Sequence, residues 1–149
     1  MQKILEYPSL SQTLVFLKLQ VFDSLNFAEE FLPKKKLYPY QIFNFLKKRI
    51  TYKNDVDGIE QLQTMQTLFS LNNVHKNIGF GDCDCFTITA LASLYVKNYK
   101  DLKVILAGRN KVNPCHIYVK VDGSNFDLTE KKFNKARYYP YLQELTFTL

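Results

Sequence analysis

The sequence predicts an α+β fold, and three observations carry that expectation. Apolar residues recur at helical spacing through the first half of the chain. A nearly all-apolar stretch, Phe86 to Val96, follows directly on the glycine-rich turn Gly79-Phe80-Gly81-Asp82. Further on, His116 to Val121 alternates apolar and polar residues and runs into Asp122-Gly123, a strong two-residue hairpin signal. Helices first, then a central helix packed on a small antiparallel sheet, is an α+β order.

Taken in sequence, residues 1–10 contain Pro8 and read as an irregular lead-in. Ser11 is placed to cap a helix from Gln12 to about Leu32, with Leu14, Leu17, Val21, Leu25 and Ala28 on one face and Pro33 beyond its end. Lys34-Lys35-Lys36 reads as a solvated connection. Pro39 opens a second helix whose stripe is Ile42, Phe43, Leu46 and Ile50, with Lys47, Lys48 and Arg49 crowding its last turn. Asn54 to Gly58 reads as a turn, because its carboxylates lack the spacing of a calcium loop. Ile59 to Leu71 is expected as a helix with Leu62, Met65 and Leu68 or Phe69 inward, ended by Asn72-Asn73. His75 falls in a polar surface loop.

The segment from Cys83 to Asn98 reads as the central helix, apolar nearly all round and therefore buried on several sides. Lys103 to Ala107 is a short strand ended by Gly108, and Asn110 to Pro114 is a loop. His116–Val121 and Ser124–Thr129 form the hairpin, and Leu145–Leu149 is a last strand.

Composition narrows the function classes. The chain has 149 residues, 46% of them apolar, with 12 Phe, 10 Tyr and no Trp, which suits one globular domain. Three cysteines, two of them one residue apart, make a poor disulfide framework and point to a reducing compartment. Glu6 lies where a leader would need an apolar run, and no uncharged segment approaches the ~20 residues of a membrane span. The expected location is the cytoplasm or the interior of a larger particle. Net charge is +6, concentrated from Lys97 onward with ten basic against five acidic residues. Aromatic and basic residues do not interleave there, so a solvated surface is favoured over nucleic-acid binding.

The chemistry centres on Gly81-Asp82-Cys83. Asp82 can cap the helix, which puts Cys83 at the positive end of the dipole, where a thiolate is favoured. Nucleophilic cysteine chemistry also needs a base and a group that orients it. With Asp122-Gly123 as the turn, Val121 lies opposite Ser124 and Tyr118 opposite Asp127. His116 shares a face with Tyr118, so Asp127 lies diagonal to His116 and within reach. A Cys83–His116–Asp127 triad follows. Cys115, on the other side of the strand, reads as a small core residue. Zinc is the chemical rival, drawing on Cys83, Cys85, Cys115, His116 and His75. Against it, Cys83 and Cys85 diverge by about 200° around a helix. Neither a metal nor a cofactor is expected.

Gly81-Asp82-Cys83-Asp84-x-Phe86, a strand opening His116-x-Tyr118-Val119, and Phe126-Asp127-Leu128-Thr129 together resemble the transglutaminase-like cysteine peptidase family, within the papain-like fold. Glu60 to Thr64 is similar to a segment preceding the cysteine in phage- and prophage-encoded members. The resemblance runs from about Tyr38 to the C-terminus. It implies one domain, 1–149, with 1–37 as a helical N-terminal extension and 38–149 as the transglutaminase-like core. It implies Cys83 as nucleophile, His116 as base and Asp127 as the orienting acid. The chain departs from the family at Cys85, where Asp is frequent, and at Leu128, where Pro is frequent. The Cys83 amide is a natural oxyanion donor, with the Gln63 or Gln66 side chain as a candidate second. The expected activity is amide or peptide hydrolysis, with transamidation less favoured because no second domain is evident for an acyl acceptor. The expected partners are protein or peptide substrates. The alternative is a phage virion or assembly protein that keeps the fold, its triad idle or used once in maturation and its partners other virion proteins.

Overall fold

A computed structural model describes residues 2–6, 10–54, 59–71, 79–111 and 114–149. In chain order the elements are β1 (Gln2–Glu6), α1 (Leu10–Phe31), α2 (Pro39–Lys47), β2 (Ile50–Tyr52), β3 (Ile59–Gln63), α3 (Met65–Leu71), β4 (Gly79–Gly81), α4 (Cys83–Val96), β5 (Leu102–Gly108), β6 (Pro114–Val121), β7 (Ser124–Phe126) and β8 (Tyr141–Thr146). The fold is α+β. A four-stranded antiparallel sheet, in the order β7-β6-β5-β8, packs against α4, while β1-β3 and β2-β4 form two small pairs. None of the helices described is long and apolar enough to cross a membrane.

α4 is buried along its whole middle, every residue from Cys85 to Leu94, as expected of a helix without a polar face. Leu102, Val104, Leu106, Ile117, Val119, Val121 and Phe126 of the sheet join it in the main core. The opposite sheet face carries Ile105, Ala107 and Tyr118, covered by Tyr139. α1 belongs to the same core through Leu17, Val21 and Ala28, followed by Leu32 just beyond its end. Residues 1–37, expected as an extension, therefore include an integral wall of the core.

Two polar residues on the buried face of α1 fix the next elements. Gln20 Nε2 donates to the Leu62 carbonyl at 2.7 Å. Ser24 Oγ accepts from the Met65 amide at 2.9 Å, satisfying one of the orphan donors that open α3. These contacts mark where the sequence reading fails. The helix expected over Ile59–Leu71 is strand β3 followed by α3, divided at Thr64. Five residues carry too little periodicity to separate strand from helix. The deciding partner is β1, which pairs antiparallel from Gln2↔Gln63 to Glu6↔Ile59 and replaces the irregular lead-in. The glycine turn also differs, since Gly79–Gly81 is a short strand parallel to Ile50–Tyr52. Ile50, expected on the stripe of α2, belongs to β2.

The hairpin matches its predicted register over Val121↔Ser124, Lys120↔Asn125 and Val119↔Phe126, but β7 ends at Phe126, short of the expected Thr129, so Asp127 lies just past the ladder. Asp122 and Gly123 have φ of 48° and 81°, the left-handed pair that such a turn requires. β8 spans Tyr141–Thr146, earlier than the expected Leu145–Leu149. The turn residues 55–58, Asn72-Asn73 and His75 lie outside the described residues.

Candidate active site

Asp82 caps α4. Its Oδ1 accepts from the Asp84 amide at 3.2 Å and the Cys85 amide at 3.3 Å. Cys83 is thereby the first residue of the helix, and Gly81 lets the chain enter closely. A Cβ on Gly81 would stand 2.8 Å from Cys85 Cβ and 3.0 Å from Leu68 Cδ1, inside contact distance. β2 holds the turn from the other side, through the Lys53 amide on the Gly81 carbonyl at 2.7 Å.

Ile117 joins this helix start to the sheet. Its carbonyl accepts from Thr87 Oγ1 of α4 at 3.3 Å, and its amide is directed at the Cys83 sulfur. The residue before it is His116, so Cys83 lies against the strand that carries His116. His116 Nε2 is 2.7 Å from Asp127 Oδ2, and Asp127 is only 2% exposed. The other carboxylate oxygen, Oδ1, accepts from the Thr129 amide at 3.0 Å and from Thr129 Oγ1 at 2.7 Å. With Nε2 taken up by the carboxylate, the other ring nitrogen, Nδ1, is the one left for a further partner. The His116 ring also stacks on Tyr118 and Tyr139, with centroids 5.6 and 5.7 Å apart.

The electrostatics revise the expectation of a standing thiolate. Burial pushes the Cys83 thiol up to about 12. The negative charges of Asp82 and Asp127 push in the same direction, while the Ile117 and Asp84 amides pull it down. The carboxylate that starts the helix also opposes the dipole it was expected to leave exposed. These effects favour the thiol form of Cys83, and an ionised sulfur there needs an acceptor for its proton.

A bulge explains the error at Cys115. Ala107 pairs with His116 but Gly108 pairs with Pro114, so Cys115 is an extra residue in β6. Strand alternation fails at that point, and Cys115 is exposed rather than a core residue. Cys85, by contrast, is buried. Among the described residues no three His, Cys, Asp or Glu side chains are grouped as a metal-ligand set.

The two glutamines differ. Gln63 is buried beside the Gly81 turn, and its Oε1 is without a hydrogen-bond partner among the described residues. Gln66 Nε2 donates to the Asp23 carbonyl of α1 at 2.9 Å, and its Oε1 is likewise buried without a hydrogen-bond partner among the described residues.

Three residues that the sequence reading did not assign complete the site. Thr129 holds Asp127, and its Asp-x-Thr spacing is a local signal of such a turn. Tyr139 covers His116 from a segment with no readable period. Lys47 donates to the Leu128 carbonyl at 2.8 Å, across 81 positions of chain. Burial lowers its pKa, and the nearby charges of Asp127 and Glu130 offset that in part. No sequence signal connects α2 with the Asp127 turn.

No protein family, curated protein or solved structure matches the chain.

Proposed function

We propose that the chain is a cysteine-dependent amide hydrolase of transglutaminase-like, papain-like type, acting through Cys83, His116 and Asp127. The observation that carries this reading is the 2.7 Å bond between His116 Nε2 and Asp127 Oδ2, one residue from the amide that faces the Cys83 sulfur. A histidine with one nitrogen fixed by a buried carboxylate, on the strand that faces a partly buried thiol, suits general-base activation of that thiol.

In the proposed reaction His116 Nδ1 takes the Cys83 proton as the sulfur attacks an amide carbonyl. Asp127 steadies the imidazolium, and the Cys83 amide receives the developing oxyanion, with the Gln63 side chain as the candidate second donor. The imidazolium then protonates the leaving amine. Water, deprotonated by the same ring, releases the acid from the thioester. The raised thiol pKa favours this concerted proton transfer over a preformed ion pair.

Incubation with p-nitrophenyl acetate tests the reading. One acetyl group is expected on Cys83 by peptide mass spectrometry, with continued release of nitrophenolate. His116→Ala is expected to slow both by at least 100-fold, within the usual range for loss of a general base. Acylation confined to the exposed Cys115, or turnover indifferent to His116, contradicts it.

The high thiol pKa also favours a second reading, in which the chain is a virion or assembly component whose triad is idle. That reading expects stoichiometric labelling at most and no turnover.

A further inference from the structure

The segment from Glu130 to Tyr138 is flanked at both ends by residues that touch the Asp127–His116 pair. Thr129 at one end bonds to Asp127, and Tyr139 at the other stacks on His116. Between them lie Lys131, Lys132, Lys135 and Arg137, all exposed, against the single acid Glu130. The segment has fixed anchor points. The Glu130 amide donates to the Asp127 carbonyl at 2.9 Å and the Asn134 amide to the Asn125 carbonyl at 3.0 Å. Asn134 Oδ1 accepts from the Asn125 amide at 2.9 Å. Phe133 lies edge-on to Phe43 and Phe126 at 6.0 and 6.2 Å. The two carboxylates whose charges act on the sulfur, Asp82 and Asp127, are buried and already hydrogen-bonded.

We infer that the 130–138 loop is a cationic rim that selects acidic peptides, bringing acyl donors with Asp or Glu flanking the scissile amide to Cys83. This rests on the proposed hydrolase reading and specifies its substrate class. A held set of four cations with one acid raises the local concentration of anions at the mouth of the site. The effect weakens with salt, because the Debye length is about 8 Å at physiological ionic strength. Arg137 matters most in this account, since it is two residues from the ring that covers His116 and its charge acts on Tyr139.

The test uses alkylation of Cys83, followed by peptide mass spectrometry, with anionic iodoacetate and neutral iodoacetamide. In a Lys135→Glu/Arg137→Glu variant the iodoacetate-to-iodoacetamide rate ratio at Cys83 is expected to fall by roughly 5- to 30-fold at low salt. The iodoacetamide rate should stay within about twofold, as expected for a change of rim charge alone. Salt at 0.5 M should narrow the difference, as screening requires. Octaglutamate is expected to protect wild-type Cys83 from iodoacetamide, whereas octalysine is not. Arg137→Gln provides a milder second variant if the double reversal misfolds. An unchanged ratio in both variants, or equal protection by the two peptides, overturns the inference. Failure of the hydrolase reading is separate: iodoacetamide labelling of Cys83 would then be unaffected by His116→Ala, whatever the rim does.

Discussion

Asp127→Ala is expected to lower the rate of Cys83 acylation by about 10²–10⁴-fold and to destabilise the fold by roughly 2–3 kcal/mol. Both effects have one cause. Asp127 accepts from His116 Nε2 at 2.7 Å and from Thr129 at 2.7 and 3.0 Å while almost fully buried. Removing the carboxylate leaves three donors without an acceptor and frees the imidazole to take the wrong tautomer. Asp127→Asn separates the two effects. Its carbonyl can still accept from Thr129, but its amide nitrogen meets Nε2, so stability is largely kept and acylation is lost. Nitrophenolate release and urea unfolding report the two outcomes. An Asn variant as active as wild type would show that the carboxylate does not set the histidine.

Phe43→Ala is expected to cost about 3–5 kcal/mol, the range for a large aromatic removed from a core. That is a substantial part of the roughly 5–15 kcal/mol that holds a domain of this size together. Phe43 is fully buried and lies edge-on to Phe126 at 5.3 Å and 82°, and to Phe133 at 6.0 Å. Phe126 is the residue before Asp127, and Phe133 anchors the cationic loop. The loss should therefore appear in denaturant midpoint and in the rate of Cys83 acylation together. A variant that keeps its midpoint would contradict the packing described for α2.

The parts of this site that were legible in sequence are those set by local chemistry. Asp122-Gly123 fixes a two-residue turn, the turn fixes register, and register places Asp127 diagonal to His116. Asp82 before an apolar run fixes the start of α4 and so the position of Cys83. What was not legible depends on distant partners or on a broken period. β3 is a strand because β1, more than fifty residues earlier, pairs with it. Cys115 is exposed because a bulge breaks the alternation on which its assignment rested. Lys47 reaches the Asp127 turn from α2, and Tyr139 reaches His116 from an irregular segment. The thiol pKa is not legible for a different reason: the helix dipole favours a thiolate, but the cost of burying its charge and the capping carboxylate of Asp82 act against it.

The central claim is that Cys83 gives its proton to His116, and the pH dependence of Cys83 alkylation by iodoacetamide tests it most directly. With the isolated thiol pushed up to about 12, reaction through free thiolate alone would rise tenfold per pH unit until that value. In wild type the account predicts a plateau through the neutral range, where an imidazole can accept the proton. In His116→Ala it predicts a straight climb with no plateau and a neutral-pH rate at least 100-fold lower, as for loss of a general base. Superimposable profiles for the two proteins would contradict the account.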